Sequence, residues 1–518
     1  MLRFTALAAA TPVAVQAWRP ARAFAQVPTR AVPMHLELVT VTDTAAIVTW
    51  FTGDPTTTDE FGRPEPIPAD TVFELGDSPL TLRPVVDRDD QTPYHMVEVT
   101  GLEPGRTYVY RAVSNGLAAT PSTFSPEPAA TGTFTTLVPP AGRLLFTMCW
   151  ANDVHIGEMT SGLAISDDRL PRGGFPPGFA ADPDNPYWRF MAEAAVDEAR
   201  ARGAELMLFN GDLTSEAEPV NVGEAKRIFD RFGPYRDAYW VTRGNHDRAH
   251  RGDEWAECQP AGVPGYNDCL RDAFFPDGPA WFSFDHHGAH IVGLDTNDLT
   301  TGSGAMAPEQ FEWLEADLAG HAGTPTFLFG HHPVSEEAGV TAVPPVVFTL
   351  NPDDAARLEQ QVAEHAVVGV YSGHTHRNKR TSSPRSPGVP YIEVAATKEY
   401  PGGYALVRVH EGGYMVNFYK TKADPSRAWS ERSRGEYLGL YPYYTLGSFA
   451  DRNFVVAADF SDAARRPAPA PAPAPSPPSS GAPSTGLETL PATGGRTAAA
   501  VGLAAAAAGL TAARAARQ

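Results

Sequence analysis

The sequence predicts a multidomain chain in which an N-terminal β-sandwich precedes a larger α/β domain. Three observations carry that expectation. At 518 residues the chain is too long for one ordinary domain. Residues 33–138 read as short alternating strands separated by turns. Residues 143–420 instead alternate continuous apolar runs with helical periodicity, the pattern of βαβ units.

Composition narrows what such a chain can do. A hydrophobic fraction of 42% is ample for packed cores, while a formal net charge of -20 leaves no basic surface for tracking nucleic-acid phosphates or anionic lipid. No nucleic-acid-binding module is therefore expected. Three cysteines exclude a disulfide-built scaffold and a cysteine-rich zinc module. Cys258 and Cys269 flank a short loop and would pair in an exported protein, whereas Cys149 lies within an apolar strand as a buried thiol.

In chain order, residues 1–25 hold one early cation, Arg3, a small-apolar run and a closing Ala23-Phe24-Ala25, which resembles an export signal cut before Gln26. In 33–138, residues 45–50, 96–99 and 107–111 read as strands, and Gly101-Leu102-Glu103-Pro104-Gly105 forms a corner ahead of Tyr108. A strand-borne Trp50 and a Tyr after such a corner resemble a fibronectin type III-like sandwich, with Trp50 in its core and Tyr108 as the corner tyrosine. The domain carries no cluster of titratable groups and reads as structural.

Pro139-Pro140-Ala141-Gly142 is a hinge, and the buried strand 144–148 then leads to Asp153 and His155. After a long loop, 157–186, a helix presents Trp188, Met191, Ala195 and Ala199 on one face and stops at Gly203. The strand 206–209 follows and ends in Asp212. A helix from residue 310, a strand at 326–329 and His331 repeat the unit. Asn351-Pro352-Asp353-Asp354 starts a further helix with an N-cap, Pro at the first position and acids in the first turn, ahead of strand 367–371 and Gly373-His374. Residues 389–392, 404–409 and 414–419 close the domain as strands. The extension 421–463 is aromatic and irregular, with no assigned role.

Residues 464–489 form a Pro/Ala/Ser-rich spacer of extended character. Leu490-Pro491-Ala492-Thr493-Gly494, the Ala-rich stretch behind it and the cations Arg514 and Arg517 resemble a sortase cell-wall sorting signal over 490–518. That resemblance implies cleavage after Thr493, linkage of Thr493 to peptidoglycan, only transient membrane contact through the tail, and a secreted protein on a Gram-positive-type cell wall.

Five motifs remain: Asp153-Val154-His155, Gly211-Asp212, Gly244-Asn245-His246-Asp247, Gly330-His331 and Gly373-His374-Thr375-His376. Each follows a predicted strand, where an α/β sheet places its ligands. A lone Asp or His in such a loop is ordinarily a turn or solvated residue, the reading given to His250, His286, His287 and His290; Asp295 reads as a local hydrogen-bonding group. Five in this order resemble the calcineurin-like metallophosphoesterases, over roughly residues 143–420. The resemblance implies a central β-sandwich flanked by helices, one metal between Asp153, His155, Asp212 and His376, and a second between Asp212, Asn245, His331 and His374. Mixed oxygen and imidazole ligands suit Fe, Mn, Zn or Ni. It further implies attack on a phosphate monoester or diester by a hydroxide shared between the ions. His246 would stabilise phosphoryl charge or protonate the leaving oxygen, with Asp247 orienting it. His332 stands behind the ligands, and Arg243 is open between phosphate contact and a surface role. The sandwich-first order resembles purple acid phosphatases, yet Ser215 stands where those carry a tyrosine ligand, so class III cyclic-nucleotide-type phosphodiesterases are a comparable match. The competing expectation is a wall-attached binding or adhesion protein with an inactive phosphoesterase domain.

Overall fold

The computed structural model describes residues 31–58, 63–121, 132–161, 179–342, 348–436 and 442–461. The export signal, the spacer, the sorting signal and most of the 157–186 loop lie outside the described residues. No described helix is long and apolar enough to cross a membrane.

Residues 32–135 fold into two antiparallel sheets. One holds Val32–Val41, Ala45–Thr58, Pro64–Pro66 and Tyr94–Thr100, the other Ala69–Gly76, Arg83–Thr92, Thr107–Ser114, Leu117–Ala118 and Thr133–Thr135. Alternate residues of Ala69–Gly76 are buried, as a half-buried strand requires. The inner faces share a core that includes Leu38, Val48, Trp50, Phe73, Tyr110 and Phe134. Trp50 donates Nε1–H to Ser114 Oγ at 2.9 Å, and the Tyr108 hydroxyl accepts the Glu103 N–H at 2.9 Å across the glycine-bearing corner.

The larger domain is a second sandwich, of two six-stranded sheets. Its first sheet runs Tyr239–Val241, Leu206–Phe209, Leu144–Ala151, Gly403–His410, Gly413–Lys420, Asn453–Ala457. Its second runs Phe282–His286, Ala289–Gly293, Thr326–Phe329, Val367–Ser372, Tyr391–Glu393, Lys379–Thr381. Three neighbouring strands of the first and four of the second are parallel. Strands buried on both faces read as unbroken apolar runs, which is why these runs stand out in the sequence. Between the sheets Trp150 stacks on Tyr371 with centroids 4.1 Å apart and meets the edge of Phe329. Helix Tyr187–Ala201 buries Trp188, Met191, Ala195 and Ala199, the expected face. Phe311, Leu314 and Leu358, from helices Pro308–Gly320 and Pro352–Glu364, cover the second sheet, and Asn351 caps the latter through the Asp354 N–H at 3.0 Å.

The described residues past 420 form helices and a strand, contrary to the irregular segment expected. Helix Asp424–Ser433 packs Trp429 flat on Tyr187, and strand Asn453–Ala457 completes the first sheet beside Gly413–Lys420. Arg452 donates to the carbonyls of Val39 and Leu38 at 3.0 and 2.6 Å, so the extension ties the N-terminal sandwich to the larger domain. Its aromatic and polar residues serve two surfaces at once and show no single period.

Candidate metal centre

All the motif residues lie just beyond the C-terminal ends of five parallel strands. Asp153 and His155 follow Leu144–Ala151, Asp212 follows Leu206–Phe209, Asn245 follows Tyr239–Val241, His331 follows Thr326–Phe329, and His374 and His376 follow Val367–Ser372. The crowding shows in the backbone. Asp153, His155, Asp212, His374 and His376 all have φ between 48° and 67°, a region costing side-chain-bearing residues on the order of 1–3 kcal/mol each. A Cβ on Gly244 would stand 2.1 Å from the Asp212 nitrogen, and one on Gly373 would stand 2.7 Å from Asp153 Oδ2. Glycine there lets the ligand-bearing chains approach one another.

Ligand atoms from Asp153, His155, Asp212 and His376 lie within 4.8 Å of one another, as do those of Asp212, His331 and His374. The groups share Asp212. Its Oδ2 stands 3.4 Å from His155 Nε2 and 3.3 Å from His331 Nε2, and His376 Nε2 stands 3.3 Å from Asp153 Oδ1. Around His331 Nε2, Asn245 Oδ1 and His374 Nδ1 also close to 3.0 Å. One hydrogen cannot satisfy three such neighbours, whereas one cation can. His155 is 3% exposed, and neither of its ring nitrogens has a hydrogen-bond partner. A buried polar group of that kind is costly without a ligand.

Electrostatics point the same way. Burial pushes the Asp212 carboxyl up, but His331 and His246 outweigh it and hold Asp212 well below the ordinary carboxylate range. Burial pulls His331 down, yet Asp212 raises it to about 9. His376 is lifted by Glu399 and Asp153 against the same penalty. Burial holds His155 and His374 below the ordinary imidazole range, so the donor set mixes carboxylates with neutral imidazoles, a chemistry that suits transition metals.

The remaining candidates sort by geometry. The His246 ring stands 4.6 Å from that of His155, half-buried, with Nδ1 donating to the Ser215 carbonyl at 2.7 Å. Asp247 does not orient it, a correction to the expected role. Its buried carboxylate accepts from the N–H groups of Leu213, Thr214 and Gly244 and fixes the Asp212 loop. Arg243 is buried rather than at the surface or on substrate, pairing with Asp268 at 2.7 Å and with the Asp247 carbonyl. Asp295 accepts the Asn297 N–H at 3.3 Å. His332 is buried beside His374 and within 3.2 Å of Thr296 Oγ1. His290 is not solvated: it is 1% exposed and lies between Asp285 and Asp317, at 2.9 and 2.7 Å. That group also contains His321, but the two rings stack 3.6 Å apart at 15°, so one ion cannot lie in both ring planes. His287 and Glu205 are half-exposed and pair at 3.2 Å.

Sequence reasoning missed Glu399, whose Oε1 is 2.6 Å from His376 Nδ1, and the Asn210 carbonyl, which accepts from His331 Nδ1 at 2.7 Å. The only sequence signal for the first was Lys398-Glu399 interrupting an otherwise uncharged stretch. A main-chain acceptor leaves no signal at all.

The calcineurin-like phosphoesterase family model matches residues 151–378, a segment that holds all seven candidate metal-binding residues but not Glu399. The chain carries a calcineurin-like phosphoesterase domain. This domain is similar to a probable cyclic nucleotide phosphodiesterase of Rhodococcus erythropolis, 24% identical over 197 residues, 38% of this chain and 58% of that protein. It is also similar to a cAMP/cGMP dual specificity phosphodiesterase of Mycobacterium tuberculosis, 24% identical over 237 residues, 45% of this chain and 66% of the relative. The chain thus spans under two thirds of both relatives. The solved structure of a dimetal phosphatase from Danio rerio overlays with a TM-score of 0.40 at 13% identity, covering 54% of this chain and 98% of that one. The two donor groups meeting on Asp212 give this phosphoesterase domain places for two ions.

Proposed function

We propose that the chain is an exported, wall-anchored hydrolase that cleaves phosphate mono- or diesters at a dinuclear transition-metal centre. The observation that carries this is the pair of donor groups sharing Asp212, with His155 buried beside it and neither of its ring nitrogens hydrogen-bonded. Asp153, His155, Asp212 and His376 would hold one ion, and Asp212, Asn245, His331 and His374 the other. When bound, such ions acidify water and polarise phosphoryl oxygens. The chain supplies the rest. Asp247 and Gly244 hold the Asp212 loop, and the Ser215 carbonyl takes the Nδ1 hydrogen of His246. As an imidazolium, His246 would carry a second hydrogen on Nε2, available to hydrogen-bond a phosphoryl oxygen or pass to the leaving oxygen. No phenolate is available at position 215, so a loaded protein should lack tyrosinate-to-iron colour.

The competing reading, an inactive adhesion module, is disfavoured because no ligand position is lost. The N-terminal domain reads as fibronectin type III-like, supported by the Tyr108 corner and buried Trp50. Export and attachment through Thr493 rest on the sequence signals, and the Cys258–Cys269 disulfide suits an oxidising location. The names of two relatives place cyclic nucleotides in the test panel. Aryl monoesters, linear diesters and cyclic diesters, each with Mn, Fe, Zn or Ni, should reveal one metal-dependent hydrolysis that Asp212→Asn abolishes. Equal rates for variant and wild type would reject the proposal.

A further inference from the structure

His376 differs from His331 in what stands behind it. The Nδ1 of His331 gives its hydrogen to a neutral carbonyl, Asn210 O, at 2.7 Å. The Nδ1 of His376 instead faces a carboxylate, Glu399 Oε1, at 2.6 Å. Glu399 is 1% exposed, and its other oxygen is fixed by Ser161 Oγ and Lys398 Nζ, both at 3.1 Å. Lys398 is buried too and is held by Glu158 Oε2 at 2.7 Å, while its carbonyl accepts the Trp429 indole N–H at 2.7 Å. Tyr187 donates to the same Glu158 at 2.5 Å. Glu158 lies three residues after His155, so the chain of contacts joins the loops bearing two donors of the same group.

We propose that Glu399 is a positioning residue for the ion bound by Asp153, His155, Asp212 and His376, acting through His376. The carboxylate can only accept, so it fixes the hydrogen on Nδ1 and leaves the Nε2 lone pair for the ion that Asp153 would share; it also makes the imidazole a stronger donor. Lys398 and Ser161 keep Glu399 from turning away. The inference rests on His376 being a metal ligand, as in the proposed function, and does not require that a phosphoester be turned over.

The test is a Mn²⁺ titration of the chelator-stripped full chain and its Glu399→Ala and Glu399→Gln variants. In Glu399→Ala one of two dissociation constants should rise 10- to 100-fold while the other stays within about twofold. Glu399→Gln, which keeps an oxygen for the Nδ1 hydrogen, should fall between. In the Zn²⁺-loaded protein a low-field imidazole N–H resonance, assigned by its loss in His376→Ala, should be absent from Glu399→Ala. Where a substrate is turned over, added metal should restore kcat with KM unchanged. An inactive protein that shows the one-site loss would sink the phosphoesterase reading and leave this one standing. Two constants that shift together with the melting temperature, two that do not move, or a wild type that binds no Mn²⁺ would overturn it.

Discussion

At the residue scale the site depends on a few exact placements around Asp212. Asp212→Asn removes a charge needed by both donor groups, and hydrolysis should fall about a thousandfold, roughly 4 kcal/mol at 1.36 kcal/mol per decade. Gly244→Ala should do comparable damage without replacing a ligand, because the new Cβ would overlap the Asp212 backbone and carboxylate. Metal content measured beside activity would show both losses together. His246→Ala should cost about 10²-fold for alkyl esters and far less for aryl esters, whose leaving oxygen needs no proton. An equal loss for both would move His246 from proton donor to phosphoryl contact. The clustering of the donor groups around Asp212 was legible because short motifs put Asp, Asn and His beside small residues at strand ends. The roles of Asp247 and Arg243 were not, since a charged residue in a motif looks the same whether it faces substrate or braces a neighbouring loop.

At the element scale, parallel strands bring distant motifs to one edge. The sequence makes those strands visible as apolar runs, and the flanking helices as amphipathic ones. The 421–463 extension had no readable role because it works as a tie: Arg452 reaches the carbonyls of Leu38, Val39 and Gly447, which no local pattern encodes. Arg452→Met should lower stability by about 2–4 kcal/mol, counted from charge-assisted bonds of about 1.5–3 kcal/mol each with partial replacement by water. Chemical denaturation would measure it, and a change under about 0.5 kcal/mol would show that the tie is ornamental. Helix Cys269–Phe274 is a second brace. Its cap Asp268 accepts the Arg271 N–H and pairs with Arg243, which also holds the Asp247 carbonyl in the ligand-bearing turn. Opening the Cys258–Cys269 bridge at its start should cost about 2–4 kcal/mol in thermal or denaturant melts under reduction.

At the scale of the whole molecule the two sandwiches are joined through buried charge. Glu37 of the N-terminal domain meets Lys420 at 3.1 Å, the Tyr400 hydroxyl at 2.6 Å, and Arg434. Burial pushes its carboxyl up, but Lys420 and Arg434 outweigh that and hold it far below the ordinary range. A depressed carboxyl stabilises the fold above its unfolded pKa, near 4.3, and that contribution is lost as pH falls toward the folded value. Acid should therefore weaken the wild type from about pH 4 downward. Glu37→Gln should lose about 3 kcal/mol at neutral pH and show a flatter acid limb, and identical acid limbs would contradict the assignment. The two-domain order was readable from the change of pattern at the Pro-rich hinge, but this joint was not, because Glu37, Tyr400, Lys420 and Arg434 lie up to 397 residues apart. In the proposed site two ions would share Asp212, and phosphoester hydrolysis would depend on both. The most direct measurement is metal stoichiometry and turnover on the same samples of wild type and Asp212→Asn. The expected result is two transition-metal ions per wild-type chain, hydrolysis that scales with occupancy, and loss of both in the variant. A variant that keeps two ions, or hydrolyses as fast as wild type, would contradict it.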